Sequence, residues 1–322
     1  MNQSRMLAGH GWPFDADRPR EDHGLFGPDS PTWRVWTNPT ALIAFLRSIV
    51  VESFDPFLTA AVDDSNGVRY DLRGRLDSTL TYFTIVAIGD SRAAIESSEL
   101  LTKVHARATG IEPISGRRYS ANNPDSQLWI HITGWQSNLH CYERYGPGRL
   151  STEDEERYWA DCVTAAELQT CDPAKVPRSR ADVRDYYADT RKRLCMSERA
   201  AGLIEHFLHP PRQKGEPLFW PATRALTVAT VATIPRWMRR LGGFDQPAAL
   251  DAMALPTGRA VVRAATPLKR RLAMVDRIAP SVRPVWQQAL AGPPPLRDEV
   301  LSPSRARELY GRQGARAERS AG

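Results

Sequence analysis

An all-α fold follows from three features of the 322-residue sequence. Apolar residues recur at helical spacing in many stretches, few segments alternate as strands do, and helix-start and helix-stop residues separate the stretches. Apolar residues make up 42% of the chain, enough for one sizeable core, and no internal repeat divides it. The expected architecture is a single multi-helix domain over 38–290 built around a buried pocket. An extension, 1–37, is expected to pack on that core, and a basic tail, 291–322, to be disordered.

The elements follow in order. Residues 1–37 are irregular in composition but carry Trp12, Trp33 and Trp36, large apolar groups that would hold the extension against the core. Asn38-Pro39 opens the first clear helix, because Asn caps a helix and Pro suits its first turn. Leu42, Phe45, Leu46, Ile49 and Val50 follow as its stripe, and Pro56 perturbs or ends it. Residues 63–73 are polar and read as a loop. A second helix spans 74–88 and breaks at Gly89-Asp90. Asp90 caps a third, expected to run to Gly110, and 111–123 is a Gly/Ser/Asn loop. Asn123-Pro124 starts a fourth helix that ends at Gly146, and Thr152 with Glu155 forms a capping box for a fifth. Further helices are expected over 181–194, 197–208, 218–241, 256–274 and 281–290. The tail holds a Pro-Pro-Pro run and six Arg against four acids, a composition that resists folding.

Bulk properties exclude several classes of function. The net charge of +6 comes without a Lys/Arg block interleaved with aromatics, so no nucleic-acid partner is expected. The four cysteines, Cys141, Cys162, Cys171 and Cys195, show no C-x-x-C spacing, which argues against a zinc ribbon or redox motif and for free thiols. The polar N-terminus lacks the apolar run of a secretory signal. The uncharged segment Ala225–Pro235 is shorter than the about 20 residues a membrane span takes. A soluble, cytoplasmic protein is the expectation.

Chemically capable residues sit on apolar helix faces. Arg75, Thr79, Tyr82 and Val86 share one face of the second helix, beside an apolar face of Leu76, Leu80, Phe83 and Ala87. Arg75 is therefore expected to be at least half-buried. It needs an anion, because an unpaired buried polar group costs roughly 2–7 kcal/mol. An acid such as Glu52 or Asp77 would serve, and so would a ligand. His105 shares its face with Ala94, Ser98, Leu101, Ala108 and Thr109. These mostly small residues leave flat space for another helix backbone or for a large planar cofactor. His is the usual proximal ligand where imidazole holds haem iron, and a core His bonded to a carbonyl is the plainer alternative. On the fourth helix His131 is followed by Gly134, which costs about 1 kcal/mol relative to Ala and leaves room for something to approach. His140 falls on the opposite face and no H-E-x-x-H pattern exists, so a non-haem metal site is not favoured. Glu52 keeps company with Phe45 and Ile49, so it should have a raised pKa or a cationic partner, for which Arg75 is the candidate. From Arg224 to Arg283 there are eleven Lys/Arg against three Asp and no Glu. A basic amphipathic helix over 225–241 can make weak contact with an anionic membrane surface or form an ordinary solvated face.

The order and spacing of several short segments resembles the MpaB-type oxygenase family, which includes the rubber oxygenases. The resemblance covers residues 40–245. Its pieces are Gly74-Arg75-Leu76 with Thr79, Gly89-Asp90, Val104-His105-Ala106-Arg107 with Gly110, and Tyr119-Ser120-Ala121. Leu128-Trp129-Ile130-His131 with Thr133, Tyr142-Glu143-Arg144-Tyr145, and Ile234-Pro235-Arg236-Trp237 with Leu241-Gly242 complete it. The resemblance implies a helical domain that binds haem b through one His and uses O2 on a hydrophobic small molecule. That molecule would be an isoprenoid or natural-product intermediate, and oxidative C=C cleavage is one implied outcome. It makes His105 the iron ligand and places Arg75 and Thr79 on the distal side, where Glu52 would carry protons. Arg107 and Tyr119 become propionate contacts, and His131, at a recurrent family position, is grouped with the cofactor contacts. Two departures fall near the distal side. Many relatives read Gln-x-Ala-His-Pro where this chain has Glu52-Ser53-Phe54-Asp55-Pro56, and the rubber enzymes have Lys where this chain has Ser78. The alternatives are a haem-dependent hydroxylase or dehydrogenase without carbon–carbon cleavage, and a haem-binding sensor without turnover.

Overall fold

Capping residues set most element boundaries in the computed structural model, which describes residues 11–65, 71–210 and 219–311. The helices are α1 (Pro31–Trp36), α2 (Ala41–Glu52), α3 (Pro56–Asp64), α4 (Leu72–Ile88), α5 (Ser91–His105), α6 (Pro124–Tyr145), α7 (Thr152–Ala166) and α8 (Arg180–Thr190). They continue with α9 (Glu198–Leu208), α10 (Phe219–Val231), α11 (Arg236–Leu241), α12 (Ala248–Ala265), α13 (Leu268–Ile278), α14 (Val282–Ala291) and α15 (Pro303–Tyr310). The fold is all-α apart from a two-stranded antiparallel hairpin, β1 (Thr109–Ile111) with β2 (Arg118–Ser120), which pairs Gly110 with Tyr119.

Several expected boundaries shift, each for a local reason. Pro56 does not merely end α2. Asp55 accepts the N–H groups of Phe57 and Leu58 and so starts α3 with Pro56 in its first turn; the segment expected to be a loop from 63 is helical to Asp64. The third helix stops at His105, not Gly110, because the chain turns into the hairpin that occupies the expected loop. Ser151, one residue before the expected cap, accepts the Asp154 N–H and starts α7. Ile234-Pro235 splits 218–241 into α10 and α11, since Pro lacks the N–H a continuing helix needs. Asn123 caps α6 through the N–H groups of Asp125 and Ser126, at the expected start.

The central element is α6, buried around most of its circumference. One side places Leu128, Ile132 and Trp135 against Ile85 of α4 and Tyr158 of α7. The other places Trp129 in a second cluster with Leu46 and Val50 of α2 and Ile204 and Leu208 of α9. Each such fully buried side chain contributes about 1.5–3 kcal/mol. All four cysteines are unbonded, and no helix among the described residues is long and apolar enough to cross a membrane.

The tail is not disordered as far as it is described. His23 N–H bonds Glu299 O, Leu296 N–H bonds Arg20 O, and Leu301 N–H bonds Gly24 O, so 296–301 runs beside the N-terminal segment. α15 then packs on α5. The charge-rich composition misled because the charges are used in place: Arg297 lies 3.6 Å from the buried Asp22 carboxylate and 3.2 Å from Glu299. Residues 312–322 of the expected tail lie outside the described residues.

Candidate active site

Packing α2, α4, α5 and α6 around one another leaves a cavity with about 310 Å³ open to the centres of water-sized molecules. Its walls are mostly apolar. α2 supplies Leu42, Phe45 and Ile49, α3 Leu58 and Val62, α4 Leu76 and Phe83, and α5 Leu101 and Val104. Trp12, Trp36, Met274, Ile278 and Trp286 close the far side. Four polar residues singled out in the sequence, or adjacent to those that were, line the same space: Glu52, Arg75, Thr79 and His105, joined by Gln127.

His105 is the last residue of α5. Its Nδ1 lies 3.5 Å from the Gln127 amide nitrogen, which is itself anchored 2.6 Å from Ala121 O. Nε2 has no hydrogen-bond partner among the described residues. A helix C-terminus favours a protonated imidazole, but burial outweighs it. Desolvation, aided by the Arg75 charge, pushes the His105 pKa down to about 4. The ring is therefore a neutral imidazole at ordinary pH, the form that ligates metals.

Arg75 donates from Nη1 to Ser65 Oγ at 2.7 Å. Burial lowers its pKa to about 10, and no carboxylate relieves it among the described residues. The expected ion pairs do not form. Asp77 instead accepts from the Ser281 N–H and hydroxyl. Glu52 accepts from Thr133 Oγ1 at 2.8 Å, and burial raises its pKa to about 7 although that bond opposes the shift. Near neutral pH the carboxyl thus interconverts between charged and uncharged forms. Thr133 can follow, because its hydroxyl also lies 2.8 Å from Trp129 O and can donate there while accepting from a protonated Glu52. The Thr79 hydroxyl donates back to Arg75 O at 2.8 Å, which fixes its rotamer beside the guanidinium.

Three expected cofactor contacts lie elsewhere. His131 is fully buried but does not line the cavity. Its Nε2 lies 2.7 Å from Cys162 O and its Nδ1 3.3 Å from the Gln169 amide, so it ties α6 to α7 as a satisfied core histidine. Tyr119 donates to Asp64 Oδ2 at 2.7 Å and packs over Gly110, where a Cβ would sit 2.7 Å from its ring. Arg107 is exposed in the turn after α5. Asp55 is the α3 cap and lies 3.5 Å from Arg193. Gly134 does open space, though into the cavity rather than beside His131: a Cβ there would meet nothing within 4 Å. Gln127 and Thr133 were missed as site residues, because this helix also buries Ser126, His131, Ser137 and Asn138 and its polar groups gave no selective signal.

Among the described residues no three His, Cys, Asp or Glu side chains converge on a point, and His105 is the histidine that lines the cavity. Among the described residues the cavity thus gathers a neutral imidazole with a free Nε2, a guanidinium without a carboxylate partner, and a carboxyl titrating near neutrality. No curated protein and no solved structure matches the chain. A family profile does match, over residues 33–267, described as ER-bound oxygenase mpaB/B'/rubber oxygenase, catalytic domain. It spans α1 to α12 and contains Glu52, Arg75, Thr79 and His105, and the chain accordingly belongs to the mpaB/rubber oxygenase family.

Proposed function

We propose that this oxygenase depends on haem b, held through His105, and acts with O2 on a hydrophobic small molecule, an isoprenoid or natural-product intermediate. One observation carries the reading: a neutral imidazole with an open Nε2 faces a large apolar cavity next to a guanidinium that has no carboxylate partner among the described residues. A b-type haem needs one protein ligand, apolar walls and a cation for its carboxylates, and these residues fit that need. Arg75 rather than Arg107 is the cation in reach. When bound, the cofactor supplies oxygen activation and redox chemistry.

The chain's own residues do the rest. The Gln127 amide nitrogen, anchored on Ala121 O, sits against the Nδ1 side of the His105 ring and limits its rotation. The walls from α2, α4 and α6 exclude water and align an apolar substrate by shape. Glu52 takes or gives a proton at its carboxyl oxygen, with Thr133 switching its hydroxyl to match. A carboxyl poised near neutrality suits that work. Thr79 presents its hydroxyl oxygen to the reacting end of the substrate, while Arg75 is kept for the cofactor carboxylates. Oxidative C=C cleavage is the reaction we assign, and product mass separates it from hydroxylation or dehydrogenation.

An absorption spectrum of protein produced with added haem precursor tests the cofactor. A Soret band is expected, along with O2 uptake on isoprenoid substrates. A colourless protein that binds no added haem would refute the proposal.

A further inference from the structure

We propose, on the reading of this cavity as the substrate site but independently of the cofactor, that its end remote from His105 is a hydroxyl-binding subsite. Asn138 and Trp286 form it, and the substrate it fits is a hydrophobic chain that carries an alcohol.

One face of α6 forms a wall of the cavity, because Gln127, Ile130, Gly134 and Asn138 line it at helical spacing. Gln127 lies against His105. Asn138 is eleven residues on, about 16 Å farther along the helix axis. Thr133 donates to Glu52 and Ser137 accepts from Arg47, so α2 runs antiparallel to α6 and brings the cavity-lining Phe45 level with Asn138. Trp286 of α14 lines the same end. The Arg271 guanidinium carbon lies 5.9 Å from its ring centroid, and Arg271 donates to Thr37 O, next to Trp36. The Trp36 ring lies 5.4 Å from that of Trp135, about one turn before Asn138.

Two atoms at this end lack partners among the described residues. The Asn138 amide nitrogen donates to Gly134 O at 3.0 Å. That carbonyl can only accept, so the amide orientation is fixed and Oδ1 is left over. Oδ1 is buried and unbonded, and so is Trp286 Nε1. The two residues are 6% and 4% exposed, too little for bulk water to relieve them. Leaving such a group unpaired costs about 1–3 kcal/mol. One atom is an acceptor and the other a donor. A hydroxyl gives its proton to Oδ1 and accepts from Nε1. A hydrocarbon does neither, and a carboxylate sets its lone pairs against Oδ1. With the alcohol held there, the apolar remainder of the chain extends toward His105.

Equilibrium dialysis of the full chain with farnesol, its methyl ether and the hydrocarbon of the same skeleton tests the subsite. Farnesol should bind about tenfold more tightly than the hydrocarbon, the worth of two neutral hydrogen bonds, with the ether in between. Asn138→Leu should erase the preference for farnesol over the ether. Trp286→Phe keeps an aromatic ring but removes the N–H, and should cut the preference over the hydrocarbon about threefold. Both variants should bind the hydrocarbon as the parent does, which marks an intact cavity. Equal binding of alcohol and hydrocarbon by the parent, or a preference that survives both variants, would overturn the subsite and leave the substrate cavity standing. Tighter binding of farnesoic acid than of farnesol would overturn it too, by giving this end to an anion. Binding of none of these compounds would overturn the substrate cavity and the subsite together.

Discussion

His105 and His131 are two imidazoles in similar surroundings with opposite fates. Both sit on long helices of the core, and burial pushes both pKa values down to about 4. His131 has a partner for each ring nitrogen and no access to the cavity. His105 lines the cavity, with a weak contact at Nδ1 and no hydrogen-bond partner at Nε2 among the described residues. Residue type and depressed pKa do not distinguish a cavity-lining histidine from a core one; hydrogen-bond satisfaction does. The same contrast separates the arginines. Arg239 is buried and paired with Asp251 at 3.0 Å, whereas Arg75 lines the cavity and, among the described residues, bonds a hydroxyl and no carboxylate.

The largest expected effect comes from the two histidines themselves. His105→Ala should lose haem and all turnover with little change in thermal stability. His131→Ala should keep haem and lose about 2–4 kcal/mol of stability, measured by denaturant unfolding, because it leaves Cys162 O without its donor and opens a hole in the core. Reversed outcomes would break the comparison.

Arg75→Leu should come next. It removes a desolvated charge that no carboxylate among the described residues offsets, so stability should stay within about 1 kcal/mol of the parent. Turnover should fall at least tenfold. The matched change at Arg239 should do the reverse, destabilising by about 3 kcal/mol by stranding Asp251.

Glu52→Gln sharpens the picture through pH. The folded pKa of Glu52, about 7, exceeds its ordinary 4.5. The folded state therefore holds the extra proton between those values, and this contribution to stability is present below 4.5 and lost as pH rises to 7. Relative to the parent, Glu52→Gln should gain on the order of 3 kcal/mol across that window, and the limb of the rate profile near neutrality should vanish. The histidines act in the opposite sense. His105 and His131 titrate near 4 when folded, against an ordinary 6.5. Their contribution is complete above 6.5 and is lost as pH falls toward 4, so acid unfolding should be milder in His131→Ala.

Gly134 gives the smallest effect. Gly134→Ala should stabilise by about 0.5–1 kcal/mol, as Gly to Ala does in a helix interior, while Gly134→Leu should fill cavity space and raise KM.

Much of the fold was legible because caps and stripes are local. Asn123-Pro124 and Asp90 announced α6 and α5. Ser151, the hairpin after His105 and the ordering of 296–311 were hidden, because competition between adjacent caps and pairing between chain ends are not local signals. In the site, Arg75, Thr79, Glu52 and His105 were legible as polar groups on apolar faces, and the structure brings them to one cavity. His131, Arg107 and Tyr119 lie outside that cavity lining, because a residue's type does not reveal which way its nitrogen or hydroxyl points. The cavity's far wall, from Trp12 to Trp286, joins residues at opposite ends of the chain and left no pattern to read.

An equilibrium haem titration of the parent, His105→Ala and His131→Ala, followed at the Soret band, tests the central claim most directly. The account predicts tight binding by the parent and His131→Ala and none of the ligated spectrum in His105→Ala. A parent-like spectrum in His105→Ala would contradict it.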